Sequence, residues 1–271
     1  MPRVLPDELT DGFRRLGLRE KDRVVLHVLL SNVGIVDGGA AMVLHRLMNI
    51  LGRNGILLMP TFTLVTRHTL THDNFTKVGC WCGENESRHL PFIPELQPDR
   101  EIGEVAHRLC SWPASQRSRH PAFSFVAVGH NSDELVRHYS LTDPLRPLKM
   151  LLENGAFVLT IGVELDSVTA IHVAEERYAP FKFVKERALT IGSAGPVWVD
   201  VVAPGCSAGF YKLANHIEHK GIRETDMGSA RAYLYPMRQL VADAARLLRE
   251  SPTALSCGRP ECLSCKTSEE R

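Results

Sequence analysis

The sequence predicts an α/β fold with a central mixed, largely parallel sheet flanked by helices and carrying an antiparallel elaboration. Short apolar strands at residues 23–30 and 56–59 enclose an amphipathic helix bounded by glycines, which is the pattern of a parallel βαβ unit. Apolar alternations at residues 181–191 and 197–202 flank a GSAG turn and predict an antiparallel hairpin.

The remaining elements follow in order from the spacing of apolar residues and from Gly and Pro boundaries. The first helix is indicated by Leu9, Phe13 and Leu16 after the acidic pair Asp7 and Glu8. The elements predicted after the βαβ unit, apart from the hairpin, are a helix at 101–109, a strand at 123–128, helices at 132–139 and 147–153, a strand at 156–162, and helices at 167–177, 209–220 and 237–249.

The chain organisation follows from its length and composition. With 271 residues, 44% of them hydrophobic, the chain can bury a sizeable core. We expect a single domain at residues 1–250 and a Cys-rich tail at 251–271. Residues 61–99 are polar and too long for an ordinary connection, which is typical of a functional segment.

Charge and hydropathy exclude two classes of partner. Lys and Arg number 32 against 31 Asp and Glu, so the sequence has no excess of cations for nucleic-acid phosphates. The longest apolar runs fall short of the roughly 20 residues that span a bilayer. The first residues, MPRVLPDELTDGF, lack the continuous apolar stretch of a signal peptide, so we expect no membrane association and a cytoplasmic location.

A His and a carboxylate lie on one face of the helix predicted for DSVTAIHVAEERY. Helical spacing places Thr169, His172, Glu175 and Glu176 at neighbouring positions. An imidazole takes a proton near neutral pH, and a carboxylate one turn away orients it and stabilises the imidazolium. The pair is a candidate general base with its orienting group. A surface helix whose His has no role is the alternative.

Two further segments carry hydrogen-bond donors at turns. In QRSRHPAFS, Arg117, Ser118, Arg119 and His120 precede a strand, as in a site for phosphate or a carbonyl, or as in a solvated basic turn. In LHVLLSNVGIVDGG, a strand ends in a turn around Ser31 where backbone N–H groups can approach an anion. That turn has neither the GxGxxG nor the GxxxxGK[ST] spacing, so it predicts neither a dinucleotide fingerprint nor a phosphate loop.

Taken together and in this order, the three segments resemble the aminoglycoside 3-N-acetyltransferase family, acetyl-coenzyme A enzymes unrelated in fold to the GNAT acetyltransferases. The resemblance covers residues 4–250 or so. It is carried by three stretches: VLHVLLSNVGIVDGGAAMVLHRLMNILGRNGILLMPTFT, REIGEVAHRLCSWPASQRSRHPAFSFVAVG and PLKMLLENGAFVLTIGVELDSVTAIHVAEE.

The resemblance implies roles for specific residues. His172 matches the catalytic histidine of the family, Glu175 matches the carboxylate that follows it, and Thr61 and Phe62 line the approach of coenzyme A. The residues implied to hold coenzyme A are Ser31, Asn32, Val33, Gly34, Arg117, Ser118 and His120. Arg146-Pro147 and Leu96-Gln97-Pro98 depart from the family pattern on the side of the acceptor.

The implied reaction is direct transfer of an acetyl group from acetyl-CoA to an amine of a small-molecule acceptor, with His172 as the base. An aminoglycoside, and hence antibiotic resistance, is the default expectation, with a homodimer as an expected assembly. An amine intermediate of natural-product biosynthesis, with another acyl donor, is an alternative. A metal-clamped binding protein without catalysis is another. A covalent route through Cys110 or Cys206 is disfavoured because neither has a His–carboxylate pair nearby in sequence.

Among the seven cysteines, three in the tail predict a structural zinc site. Cys257, Cys262 and Cys265 have C-x4-C-x2-C spacing, and a tetrahedral zinc needs one more ligand. The long segment offers Cys80, Cys82 and His89, of which Cys80 is the preferred fourth ligand. The alternatives are an iron–sulfur centre and a reactive tail without metal.

Overall fold

This computed structural model describes residues 2–63, 66–68, 89–137 and 140–266 of the chain. Its strands are as follows. They are β1 (Arg3–Val4), β2 (Arg23–Val28), β3 (Ile35–Val36), β4 (Ile56–Pro60), β5 (Arg67–His68), β6 (Gln116–Arg117), β7 (Phe125–Gly129), β8 (Phe157–Ile161), β9 (Phe183–Gly192), β10 (Gly195–Pro204), β11 (Arg223–Met227) and β12 (Ala230–Pro236).

The helices of the same ranges include α-helices and short 3-10 turns. The α-helices are α1 (Pro6–Arg15), α2 (Leu30–Val33), α3 (Gly39–Leu51), α4 (Glu104–Cys110), α5 (Ser132–Arg137), α6 (Arg146–Glu153), α7 (His172–Tyr178) and α8 (Met237–Glu250). The 3-10 turns are Arg100–Ile102, Leu165–Ser167, Thr169–Ile171, Pro180–Lys182, Phe210–His216 and Leu263–Cys265. In these ranges, no helix combines the length and apolarity needed to cross a bilayer.

The main sheet has the order β11-β12-β8-β2-β4-β7-β6. Its three central strands, β8, β2 and β4, are parallel, and the strands on either side pair antiparallel. The mixed α/β class predicted from the sequence is confirmed. The parallel pairing is confined to the centre, however, rather than extending over most of the sheet, because β7 and β12 both return antiparallel to their neighbours.

The predicted βαβ unit is confirmed as β2–α3–β4. Arg23 pairs with Ile56 and Val24 with Leu57 in parallel register. Along β2, Val24 and Leu26 face one core and Val25 faces the other. Helices cover both faces of the sheet, so these three consecutive positions are all apolar. Residues of α1, α3 and α4 contribute to the first core, and residues of α5 to α8 contribute to the second.

The antiparallel elaboration is confirmed as the hairpin β9–β10, whose register runs from Phe183↔Pro204 to Gly192↔Gly195. Strand β5 pairs with the outer side of β9, and Phe92 forms a bridge to Thr190. The described ends of the long polar segment therefore lie against this hairpin.

Several predicted boundaries differ from the structure. The strand predicted to reach residue 30 ends at Val28, because the chain turns into α2. The helix predicted at 167–177 is two 3-10 turns followed by α7, and the helix predicted at 209–220 is the 3-10 turn Phe210–His216. Strands β11 and β12 were not predicted, since RETDM is too polar to signal a strand that pairs only with β12.

Candidate active site

Three chain segments meet at the carboxyl edge of the parallel strands, which is where ligands bind in open α/β sheets. Strand β2 leads into α2, β4 leads to Thr61, and β8 leads through Gly162 towards α7. The side-chain Nδ2 of Asn32 donates a hydrogen bond of 2.7 Å to the carbonyl oxygen of Gly162. The turn predicted to hold coenzyme A and the segment that carries the predicted base are therefore tied together.

His172 and Glu175 form a buried pair in the first turn of α7. Nδ1 of His172 lies 2.6 Å from Oε2 of Glu175, and the residues are 4% and 0% exposed. Because an ionised carboxylate only accepts hydrogen bonds, Nδ1 carries the ring proton in this pair. The remaining nitrogen, Nε2, then has the lone pair that a general base needs.

Lys182 completes this pair from the opposite side and was missed by the sequence analysis. Its Nζ lies 2.5 Å from Oε1 of Glu175, and neither side chain is exposed. The same Nζ donates a hydrogen bond of 3.2 Å to the carbonyl oxygen of Leu255. Helical spacing does not signal this contact, because α7 ends at Tyr178 and Pro180 starts a separate turn.

Aromatic rings surround the imidazole of His172. The ring of Phe210 lies 4.8 Å from it and that of Phe123 lies 6.4 Å from it, both edge-on. Phe62, predicted to line the approach of coenzyme A, stacks on Phe123 at 4.0 Å. The segment after β4 is thus linked to His172 through two aromatic rings, those of Phe62 and Phe123, in apolar surroundings that strengthen the electrostatic interactions of the base.

Arg117 anchors both ends of the long polar segment. Its guanidinium donates to the carbonyl oxygens of Thr61, Pro94 and Leu96 and to the hydroxyls of Thr61, Thr63 and Ser124. Burial lowers the pKa of Arg117 from its ordinary value. These contacts give Arg117 a structural role, and its predicted contact with coenzyme A stays a prediction.

Ser118 and His120 shape the turn that presents Phe123. The backbone N–H of Ser118 donates to Phe125 at 2.8 Å, and its hydroxyl oxygen accepts from the Phe125 N–H at 3.0 Å. Nδ1 of His120 accepts from the Phe123 N–H at 3.0 Å and from the Ala122 N–H at 3.3 Å. Both side chains are buried. Their predicted contacts with coenzyme A likewise stay predictions.

The turn predicted to cradle an anion is the short helix α2 and Gly34. Ser31 and Asn32 are exposed, whereas Val33 is buried and its carbonyl oxygen accepts from the Ser229 N–H at 2.9 Å. Gly34 has φ of 120°, and a Cβ there would lie 2.5 Å from the carbonyl oxygen of Pro2, so only glycine fits this turn. Ser31 and Asn32 therefore remain accessible to a ligand.

The structure brings the three tail cysteines together. The sulfurs of Cys257, Cys262 and Cys265 and a fourth sulfur, that of Cys206, all lie within 4.8 Å of one another. Cys80, predicted as the fourth ligand, lies outside the described residues together with its alternative Cys82. Cys206 was considered only for a covalent route, because nothing in the sequence links it to the tail.

The remaining candidate site residues lie away from His172 or outside the described residues. The ring of His89 packs edge-on against Trp198 at 5.1 Å. The acidic residues of the segment that would suit a polycationic acceptor, Asp73, Glu84 and Glu86, lie outside the described residues. Cys110, considered for covalent catalysis, ends α4, and burial raises the pKa of its thiol, which disfavours the thiolate nucleophile.

Comparisons with known proteins agree on one family. The model of the aminoglycoside 3-N-acetyltransferase family matches residues 25–249. Aminoglycoside N(3)-acetyltransferase III of Pseudomonas aeruginosa is 28% identical over 259 residues, which are 89% of this chain and 92% of that protein.

Two solved structures have the same fold. The crystal structure of the YokD protein from Bacillus subtilis superposes with a TM-score of 0.80 and 25% identity over 92% of this chain and all of that one. A binary complex of AAC-IIIb with CoASH has a TM-score of 0.78 and 22% identity, over 92% of this chain and 97% of that one.

The fold and the matched family define an acyltransferase built on a mixed α/β sheet. More specifically, this chain belongs to the aminoglycoside 3-N-acetyltransferase family.

Proposed function

We propose that this protein transfers an acetyl group from acetyl-CoA to an amine of an aminoglycoside, with His172 as the general base. The observation that carries the proposal is the buried chain His172–Glu175–Lys182, with contacts of 2.6 Å and 2.5 Å. Family membership supports the reaction class, and the names of the relatives supply the acceptor. The Pseudomonas aeruginosa relative is named as an aminoglycoside N(3)-acetyltransferase.

The base acts on the acceptor nitrogen. An ammonium has no lone pair, so it first loses a proton to solvent, and the neutral nitrogen then attacks the thioester carbonyl carbon. Nε2 of His172 takes the proton that the attacking amine releases, while Glu175 stabilises the resulting imidazolium through Nδ1–H. The C–S bond breaks when the carbonyl reforms, and coenzyme A leaves as a thiolate that accepts the proton held by Nε2 of His172, which restores the neutral base. No covalent intermediate with the protein is needed.

Lys182 holds the carboxylate of Glu175 in the orientation that this reaction needs. A buried carboxylate without a partner is costly, and the ion pair with Lys182 offsets this cost and holds the carboxylate in place. The carbonyl oxygen of Leu255 takes another hydrogen of the ammonium. Glu175 and Lys182 are positioning residues, because they act on the substrates only through the imidazole.

The donor site is proposed at the exposed turn of Ser31 and Asn32. Next to it lies a cleft of about 410 Å³ that is also lined by Gly162, Glu164 and Tyr233. This volume lies within the range of small-molecule sites, roughly 300–1,000 Å³. The AAC-IIIb complex contains CoASH, which supports acetyl-CoA as the donor. Beyond this substrate, the only cofactor that we propose is a structural zinc ion.

Release of thiol from acetyl-CoA tests the proposal. Purified protein is incubated with acetyl-CoA and a panel of aminoglycosides and unrelated amines, and blanks without acceptor correct for the thiols of the protein. We expect turnover with at least one aminoglycoside and acetylation of a single amine by mass spectrometry. Expression in a susceptible bacterial host then raises the inhibitory concentration of that drug.

His172→Ala separates the base from the rest of the site. Loss of general-base catalysis lowers turnover by at least about 100-fold. His45→Ala is the matched control, because His45 is exposed on α3 and forms a hydrogen bond with the nearby Asn49. Turnover of His172→Ala within about threefold of wild type contradicts the role of His172. Activity on unrelated amines but on no aminoglycoside would support the acetyl transfer and reject the aminoglycoside as the acceptor. The alternative acceptor, an amine intermediate of natural-product biosynthesis, would then be favoured.

A further inference from the structure

Four cysteines from distant parts of the sequence lie close together, next to the chain segments that contact Lys182. Cys206 follows β10, whereas Cys257, Cys262 and Cys265 lie in the segment after α8. Their sulfurs all lie within 4.8 Å of one another, and Cys206, Cys262 and Cys265 are buried. The cysteines of the described residues carry thiols rather than disulfides. A cluster of four sulfurs therefore fills a small volume in the protein interior.

The geometry of the cluster fits a tetrahedral metal centre. Zn–S bonds of about 2.3 Å place tetrahedral sulfurs about 3.8 Å apart, so sulfurs within 4.8 Å need only a small contraction around the ion. Four thiolates fill all positions of the tetrahedron and leave none for a substrate, which is typical of a structural zinc site. The backbone N–H of Cys257 also points to the sulfur of Cys265 at 3.3 Å. Such an N–H donor stabilises a thiolate.

Two glycines let the chain around Cys206 approach the cysteine segment. A Cβ at Gly205 would lie 2.7 Å from both the carbonyl oxygen of Lys182 and the Cβ of Ser264. A Cβ at Gly209 would lie 2.4 Å from the carbonyl oxygen of Leu255. Real Cβ atoms do not tolerate such contacts, so the backbone on both sides of Cys206 is fitted to the segment that carries the other three sulfurs.

The same segment touches the groups that support the base. Leu255 accepts the hydrogen bond of Lys182, and Lys212 donates one of 2.6 Å to the carbonyl oxygen of Ser256. Phe210, which follows Cys206 in the chain, contacts both the imidazole of His172 and, at 5.1 Å, Nζ of Lys182. The four-cysteine cluster thus lies where it can fix both chain segments that surround Lys182.

We propose that Cys206, Cys257, Cys262 and Cys265 bind one structural zinc ion that fastens the C-terminal segment to the turn after β10. The ion bonds four thiolate sulfurs, and the four thiol protons are released to solvent on binding. The site does not rest on the proposed function, whereas its support of Lys182 matters for catalysis only if that function is correct.

Metal analysis of tag-free protein tests the site. The full chain is produced in zinc-containing medium, dialysed, and measured by inductively coupled plasma mass spectrometry. We expect about one equivalent of zinc per chain. Cys206→Ser and Cys262→Ser should each retain less than about a tenth of an equivalent, since three remaining ligands bind far more weakly. Cys110→Ser is the matched control and should keep its zinc, because Cys110 lies in α4 away from the cluster.

Two measurements on wild-type protein keep the test valid if the variants fail to fold. Titration with a mercurial should release the zinc in proportion to modified thiols. Alkylation in denaturant without reductant should label all four cysteines of the cluster, because metal-bound sulfurs are thiolates and not disulfides. Wild-type protein without zinc, iron in place of zinc, a disulfide among the four, or full zinc retained in both cysteine variants would each overturn the proposal. None of these readouts depends on acetyl transfer.

Discussion

Nζ of Lys182 lies 2.5 Å from Oε1 of Glu175, and both side chains are completely buried. The other carboxylate oxygen of Glu175 faces Nδ1 of His172. One carboxylate therefore has the amine of a lysine on one side and an imidazole on the other. This arrangement fixes the orientation of both carboxylate oxygens.

Replacing Lys182 by Met should damage both stability and turnover. The variant leaves the carboxylate of Glu175 buried without its cation, which costs about 3–5 kcal/mol when one partner of a buried pair is removed. Chemical denaturation measures this loss. The double variant with Glu175→Gln should regain part of the stability but not the turnover.

The control for this variant is Arg14→Met. Arg14 pairs with Asp11 at the surface, where its side chain is 70% exposed, so the expected loss is below about 1 kcal/mol. A Lys182→Met protein as stable as wild type would show that the ion pair contributes nothing to the fold.

Arg117→Lys should lower stability rather than donor binding. Lysine cannot reproduce the fork of contacts with Thr61, Leu96 and Ser124, and buried carbonyls left without donors cost about 1–3 kcal/mol each. We expect a fall in Tm with little change in KM for acetyl-CoA. Arg119→Lys, at an exposed neighbour, should change neither. A raised KM with unchanged Tm would instead assign Arg117 to coenzyme A, as the sequence predicted.

His27 should make stability depend on pH. It is buried in β2, and desolvation lowers its pKa to about 4, below the 6.5 of an exposed histidine. The unfolded chain therefore binds this proton more readily than the folded one, so the contribution is complete above pH 6.5 and is lost as the pH falls to 4. The wild type should lose about 3 kcal/mol more than His27→Asn between pH 7 and pH 4. Denaturant titrations at the two pH values measure the difference, and equal losses would refute it.

Gly205→Ala should weaken the attachment of the C-terminal segment. The added Cβ would lie 2.7 Å from the carbonyl oxygen of Lys182, so the backbone must shift, at a cost of roughly 1–3 kcal/mol. Tm and zinc content should both fall. Gly192→Ala is the control, because the nearest atom to its Cβ would be a side-chain methyl group of Val197, at 3.0 Å, and the nearest backbone atom lies 3.6 Å away. A Gly205→Ala protein with unchanged Tm would contradict the close approach.

Local patterns predicted the parts of the fold whose signal lies in neighbouring residues. The β2–α3–β4 unit and the β9–β10 hairpin follow from apolar periodicity, and the His172–Glu175 contact follows from helical spacing. Polar β11 carried no such signal, because its identity as a strand depends on pairing with β12.

Long-range contacts explain what the sequence did not predict. Lys182 reaches Glu175 only because the chain turns at Pro180, and Cys206 joins the tail cysteines only because the hairpin brings the end of β10 to them. Three of the four sulfurs were recognised from spacing. The fourth required the three-dimensional path of the chain.

Leu255 supports Lys182 through its main-chain carbonyl and not through its side chain. Since every amino acid supplies that oxygen, saturation mutagenesis at position 255 should report only how well each side chain fills its buried space. At position 182 the same mutagenesis should show that only side chains with a positive charge preserve turnover. A comparison of side-chain identities therefore cannot detect the contact of Leu255 with Lys182, because the contact depends only on the path of the backbone.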